Sequence, residues 1–472
     1  MADLNPTLLA VIGVGLAICV LCVMGANDVA NVLGTAYGAG ALRAPAHSSS
    51  SLSVWARIKG AVPLVLFAGV FEFAGALFAG SSVTEHISEQ LVTGGTARQR
   101  AVSALGTLVA SFALVAGSTV AALPVSASHA TASAIVAAGA FQAWQQGRDT
   151  NTTSSVAAGE IALPIQVRWS SVVPIVIVWL ASPIVGFLAG YVLYFICGAQ
   201  CIFEEPLGLP LLAGSIMGSL FVFIFIAGPP DLRVLLGRWS APVTAAISSL
   251  VFTASMVMFL IKRREMLARY SDAPFVPAPP SATTIDAEAP SIDPIHETAY
   301  LEPPYRYARG LRLLMIFTAA AIAFAHGGND VSNGIAPLVH IMAYVQNGRS
   351  GNSAASPSSV PTSLLALGGM AILLGLTLFG YRVMQTVGYA IAKLDFTTGL
   401  AAQTAAALCV LAATAAGLPV STTQILVAAV AGAAYSQGSP IQSRTVARIL
   451  LAWVLTIPIS ALVSVAVHWM VR

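Results

Sequence analysis

Gly25-Ala26-Asn27-Asp28-Val29-Ala30-Asn31 and Gly327-Gly328-Asn329-Asp330-Val331-Ser332-Asn333 are two copies of one polar phrase, and Asn27 and Asn329 stand 302 residues apart (329 − 27). Each copy sets a carboxylate and two carboxamides in a run that belongs in lipid, where an ionisable group is expensive and marks function. The rest of the chain is that of a polytopic membrane protein: of 472 residues, 57% are hydrophobic and 9% charged, with a mean hydropathy of +0.82. The net charge of +3 says little about partners, and no nucleic-acid role is expected.

At about 20 apolar residues per crossing, apolar segments are expected near 7–42 and 310–344 (both long and interrupted), 60–80, 168–197, 209–228, 241–261, 362–381 and 446–468. Two further stretches, near 100–142 and 396–436, are apolar but broken by a Pro-Val-Ser turn. Each is expected to be two half-helices meeting inside the bilayer as a re-entrant hairpin. The fold class is then all-α, with about 12 membrane segments including broken helices and two re-entrant helical hairpins. Residues 1–261 form a first membrane half and 311–472 a second, joined by a hydrophilic, proline-rich cytoplasmic linker at 262–310.

Placing both termini outside puts 14 Lys and Arg in cytoplasmic loops against 8 outside, a modest bias of the right sign; a plasma-membrane location is the expectation. The glycosylation pattern Asn151-Thr152-Thr153 then falls outside. The first apolar run lacks a basic leader and holds the polar motif itself, so a cleaved signal peptide is not expected. Cys19, Cys22, Cys197, Cys201 and Cys409 form no zinc-type array and read as small core residues.

The halves repeat one another. Leu123-Pro124-Val125-Ser126-Ala127-Ser128-His129 answers Leu418-Pro419-Val420-Ser421-Thr422-Thr423-Gln424, 295 residues on (419 − 124). A weaker echo links Trp179…Pro183 with Trp453…Pro458. Because the first half begins outside and the second inside in this topology, the expectation is two inverted-topology repeats with a site at their midplane interface.

Asn27 and Asn31, like Asn329 and Asn333, share a helix face with Asp28 or Asp330 alongside. The preceding glycines let the helix unwind and expose carbonyls. Na⁺ wants a shell of such oxygens, so Asn27, Asp28, Asn31, Asn329, Asp330 and Asn333 are the candidate cation ligands; the bland alternative is polar glue between helices. Glu72, in Phe71-Glu72-Phe73-Ala74-Gly75-Ala76, is a further candidate ligand or proton carrier, and its nearest echo in the other half is Gln385. The Pro-Val-Ser elements suit an anion, because the first turn of a helix offers N–H groups without intrahelical partners. Ser126, Ser128, Ser421, Thr422 and Thr423 would surround a tetrahedral oxyanion, with Gln403 as a further contact; here the bland alternative is capping. Every Lys and Arg lies in a loop or at a segment end, so helix dipoles and co-bound cations must balance the anion, which argues for cation-coupled uptake. His129 and His326 flank the motifs and read as hydrogen-bonded structural residues; Glu85, His86 and Glu89 read as a solvated loop.

The paired motifs, Phe71-Glu72-Phe73-Ala74-Gly75-Ala76, Gly380-Tyr381-Arg382-Val383-Met384 and the two Leu-Pro-Val-Ser turns resemble the inorganic phosphate transporter family, the sodium- or proton-coupled phosphate permeases. The resemblance covers essentially the whole chain apart from the linker. It implies secondary active transport of phosphate rather than an enzyme, no cofactor, Na⁺ as coupling ion, and a fold of two inverted repeats in which a homodimer is an option. It also implies that Asn27, Asp28, Asn329 and Asp330 bind cation and phosphate and that the hydroxyls after Pro124 and Pro419 line the phosphate site. Gln424 stands where family members carry His, and Ser332 replaces the first copy's Ala30, small for small. H⁺ coupling or sulfate transport keeps the same fold. An intramembrane aspartyl protease with Asp28 and Asp330 as its dyad, or an anion channel, fits the motif context less well.

Overall fold

The structure, a computed structural model, describes residues 5–39, 54–121, 125–148, 164–197, 208–227, 249–250, 252–254, 257, 305–350, 360–379 and 394–471. Gln385, Arg382, Cys201, Asn151, Pro124 and most of the 241–261 and 262–310 stretches lie outside these residues.

The described residues form twelve helices: α1 (Pro6–Gly38), α2 (Val54–Gln90), α3 (Ala97–Val120), α4 (Ala127–Arg148), α5 (Trp169–Cys197), α6 (Gly208–Ala227), α7 (Tyr305–Asp330), α8 (Ser332–Ser350), α9 (Thr362–Phe379), α10 (Phe396–Ala415), α11 (Thr422–Gln437) and α12 (Ser443–Val471). Seven stretches among them are long and apolar enough to cross a membrane. The chain is an integral membrane protein, and its described residues are almost all helical. The all-α expectation needs one amendment, a two-stranded pairing of β1 (Val92–Thr93) with β2 (Gln166–Val167) that ties the end of α2 to the start of α5.

Other expectations shift with the helix bounds. α1 passes through its polar motif unbroken, so the interrupted first segment is not found. The second copy does break, at the single turn residue Val331. There Ser332 Oγ donates to the Asn329 carbonyl at 2.6 Å, a back-bond that Ala30 cannot make and that bends helices. The Pro-Val-Ser stretches do fold as helix pairs, α3 on α4 and α10 on α11. With 24 and 20 residues, however, α3 and α10 are full-length rather than half-length helices. Glu85, His86 and Glu89 belong to α2, not to a loop.

Packing comes in matched sets. α1 lies on α9 and α7 on α2; α4 lies on α12 and α11 on α5; α3 lies on α1 and α12, and α10 on α7 and α5. Gly25 of α1 is pressed on the Ile372 carbonyl, and Gly375 of α9 on the Cys22 carbonyl. The α7–α2 crossing repeats the arrangement with Gly327 on the Glu72 carbonyl and Gly75 on the Phe324 carbonyl. A Cβ at any of the four would collide with a backbone oxygen, the small-residue packing that holds helices together where lipid supplies no hydrophobic drive. The pair α7–α8 is the most enclosed stretch, while α5 and α12 turn much of their surface outward through Ile177, Leu180, Ile184, Leu451, Val454 and Leu462. Of the cysteines, Cys197 is buried and Cys19 exposed.

Candidate functional site

The tips of both hairpins reach the two Asn-Asp motifs, and hydrogen bonds tie them together in two matched pairs. Asn27 Nδ2 donates to Thr119 Oγ1 of α3 at 3.1 Å, and Asn329 Nδ2 to Thr414 Oγ1 of α10 at 3.3 Å. Asn31 Nδ2 donates to Thr423 Oγ1 of α11 at 2.8 Å, and Asn333 Nδ2 to Ser128 Oγ of α4 at 3.4 Å. The first pair stays within each half and the second crosses between halves. In both, the partners obey the 302- and 295-residue offsets found in the sequence. Thr119 and Thr414 escaped the sequence reading, yet both stand five residues before the turn proline; laying one half over the other would have found them.

Around this frame the donors and acceptors are uneven. Asn31 Nδ2 also donates to Asp28 Oδ1 at 2.7 Å, Thr422 Oγ1 donates to Asp330 Oδ2 at 3.4 Å, and the Asn329 carboxamide joins the Leu418 carbonyl to the Val420 N–H. Asn31 Oδ1, Asn333 Oδ1, Asp330 Oδ1 and Glu72 Oε2 are buried acceptors with no hydrogen-bond donor. Bare oxygens of carboxamide and carboxylate inside a membrane protein are what a hard cation replaces water with. The residues therefore fit Na⁺, and Asp28 and Asp330 with His326 also lie close enough to share one ion.

His326 occupies the centre rather than the flank. Its Nδ1 lies 2.7 Å from Glu72 Oε1, and its Nε2 lies 2.9 Å from Asp330 Oδ2 and 3.6 Å from Asp28 Oδ2. These are ion-pair distances. The reciprocal glycine contacts set Gly75 against Gly375, so the residue answering Glu72 is Ile372, not Gln385; the 302-residue offset likewise makes Met24 the answer to His326. The charged cluster is thus a place where the two halves differ at their centre.

The Pro-Val-Ser hydroxyls divide. Ser126 Oγ accepts from the His129 N–H, and Ser421 Oγ from the Gln424 N–H, both at 3.2 Å, so these two act as N-caps. Ser128, Thr422 and Thr423 face the motifs, and Ser128 Oγ donates to the Val420 carbonyl of the opposite tip at 3.0 Å. Gly417, at φ 67°, allows the second tip its turn. Gln403 does not join the cluster: its Nε2 donates to the Val32 carbonyl and its Oε1 accepts from Thr318, bridging α10 to α1 and α7. His129 is not hydrogen-bonded through its ring; it packs at a tilt of 45° against Trp179, whose Nε1 donates to the Pro419 carbonyl at 3.0 Å.

A sequence profile described as the phosphate transporter family matches residues 24–464, both motif copies and both tips included. The chain belongs to the phosphate transporter family. A Thermococcus kodakarensis protein, named provisionally as a phosphate permease, is 30% identical over 471 residues, covering 98% of this chain and 97% of its own. Inorganic phosphate transporter 2-1, chloroplastic, of Arabidopsis thaliana is 29% identical over 457 residues, 94% of this chain and 69% of that one. A solved structure titled the sodium-dependent phosphate transporter superposes with a TM-score of 0.74 over 98% of both chains, at 24% identity, and so shares the fold. Family members are transporters, not enzymes, and the protease reading falls with that: His326 also lies between the two aspartates that would have formed the dyad.

Proposed function

We propose that this family member is a secondary active symporter that carries inorganic phosphate together with Na⁺ on two inverted-topology repeats. The observation that carries the reading is the set of four matched hydrogen bonds, which join motif to tip by the same rule in both halves. Two hairpin tips that touch each other and both motifs meet naturally at the middle of the bilayer, the geometry of inverted-repeat transporters. Asp28, Asp330, Asn31, Asn333 and Glu72 hold the cation through their oxygens. Ser128, Thr422 and Thr423, with the first-turn N–H groups of α4 and α11, receive the phosphate oxygens. Among the described residues no Lys or Arg is bonded to these groups, so cation and anion each lower the other's desolvation cost and bind together. The distribution of Lys and Arg supports an orientation with both termini outside.

A second reading, H⁺ as the coupling ion, is favoured by the Glu72–His326 contact, since intramembrane carboxyl and imidazole groups form proton relays. The experiment is uptake of labelled phosphate into liposomes carrying the purified chain, with imposed Na⁺ or H⁺ gradients and excess sulfate as competitor. Accumulation driven by the Na⁺ gradient and untouched by sulfate is expected. Accumulation driven by the H⁺ gradient alone selects the second reading, and equilibration without either gradient refutes symport.

A further inference from the structure

Duplication accounts for the paired Asn-Asp motifs but not for the group between them, because His326 and Glu72 are answered in the other half by Met24 and Ile372. An imidazole is a poor ligand for Na⁺. Hard cations take oxygen ligands, whereas a ring nitrogen set among carboxylates suits a divalent transition metal such as Zn²⁺.

Three ligand atoms converge there. His326 and Asp330 stand four residues apart at the end of α7, the spacing at which two side chains of one helix can share an ion. Asp28 reaches the same ring nitrogen from α1: Nε2 lies 2.9 Å from Asp330 Oδ2 and 3.6 Å from Asp28 Oδ2, and one ligand atom from each of the three residues lies within 4.8 Å of the other two. Two ligands held at about 2.0–2.2 Å from a tetrahedral ion stand about 3.3–3.6 Å apart, so both contacts to the ring are within a few tenths of an ångström of what one ion requires. The second ring nitrogen is engaged as in a metal-bound histidine. Nδ1 lies 2.7 Å from Glu72 Oε1, the carboxylate–histidine pairing that fixes the tautomer and orientation of a ligating ring. All four side chains are at most 4% exposed, and Asp330 Oδ1 and Glu72 Oε2 have no hydrogen-bond donor.

We propose that Asp28, His326 and Asp330, with Glu72 orienting the ring, form a Zn²⁺ site in which the metal displaces the coupling Na⁺ and arrests the carrier. The arrest rests on the Na⁺ reading above, since the two aspartates cannot serve both ions at once; the metal site does not. Three protein ligands leave a fourth position open to water or to a phosphate oxygen. Mg²⁺, which demands octahedral geometry and dehydrates reluctantly, does not replace Zn²⁺ here.

The test titrates Zn²⁺ into the purified full chain in detergent, free of phosphate and of any histidine tag, and follows binding by calorimetry. A single site is expected, weakened about a hundredfold or more in His326→Gln and about 10–100-fold in Glu72→Gln, with no heat from Mg²⁺. Zn²⁺ binding that is unchanged in His326→Gln, or matched by Mg²⁺, is adventitious and overturns the proposal. Should His326→Gln fail to fold, zinc K-edge X-ray absorption of the parent decides: one imidazole among oxygen ligands is expected, and none or several refutes the site. In liposomes, Zn²⁺ should halt Na⁺-driven phosphate uptake, and about tenfold more external Na⁺ should raise its half-inhibiting concentration by about the same factor, as competition for one site requires. Uptake that continues with the calorimetric site filled overturns the arrest. A parent that moves no phosphate yet binds Zn²⁺ through His326 refutes the transport reading and leaves the metal site standing.

Discussion

Replacing Gly25 by alanine tests the backbone contact on which the first Asn-Asp motif rests. Its Cβ would collide with the Ile372 carbonyl oxygen and stand 2.9 Å from that carbonyl's carbon and 3.0 Å from Leu376 N, against about 3.5–4.0 Å for an ordinary carbon contact. α1 and α9 must then part by roughly 0.5–1 Å, a gap that forfeits a quarter to a half of each contact's attraction. Overpacking costs about 1–3 kcal/mol, and a backbone neighbour cannot rotate away, so the upper end applies. Alanine returns about 1 kcal/mol over glycine in a helix interior, which leaves Gly25→Ala destabilised by about 2 kcal/mol. Gly15, in the same helix, has nothing within 4 Å of its Cβ, so Gly15→Ala keeps the gain without the clash. The two substitutions should therefore differ by about 3 kcal/mol. A thermal melt in detergent, followed with a thiol-reactive dye that reports exposure of buried Cys197, reads the difference. A Gly25→Ala protein that melts at or above the parent temperature would refute the crossing geometry.

Asp28→Asn and Asp330→Asn should each abolish gradient-driven phosphate accumulation while the purified protein keeps its melting temperature, and normal uptake by either removes that aspartate from the site. Asn31→Ala and Asn333→Ala, which lose matched bonds to Thr423 and Ser128, should lower uptake by factors within threefold of one another; a loss confined to one half would contradict a shared rule. Gln403→Leu should lower the melting temperature, at a cost of about 1–2 kcal/mol for its buried hydrogen bonds, and leave the phosphate KM unchanged, because its amide bridges helices rather than facing the cluster. Glu72→Gln should stop transport, whereas Ile372→Val at the matching position should cost about 1 kcal/mol of stability and spare it; uptake by Glu72→Gln at the parent rate would show that the charge is idle.

The duplication was legible because each half repeats a polar phrase and a proline turn that lipid-facing sequence has no other reason to contain. The same offsets led to the matched bonds once the partners were seen. What escaped the sequence depended on contacts between separate helices. His326 looked like a bystander to its own motif, and its role is set by Asp28 of α1 and Glu72 of α2, neither of which local spacing can reveal. Glu72 was matched to another polar residue, although the helix crossing is fixed by glycines and sets an isoleucine opposite it. Ser332 for Ala30 passed as a neutral exchange because size alone was compared; the hydroxyl's bond to the Asn329 carbonyl accompanies the one break between the two copies. Ser126 and Ser421 were assigned to the anion; each Oγ also accepts a capping N–H, which leaves its O–H free to donate.

The pairing of α5 with α11 and of α4 with α12 sets a schedule for biosynthesis. Trp179 emerges from the ribosome 240 residues ahead of the Pro419 carbonyl it binds, a delay of roughly 10–50 s at about 5–20 residues per second. Throughout that interval α5 must stay in the bilayer without its protein neighbour, and its high hydropathy, 2.4 over the spanning window, keeps it there. A nascent chain stalled between the halves would therefore be inserted but unfolded, its glycine faces open to whatever helix arrives first.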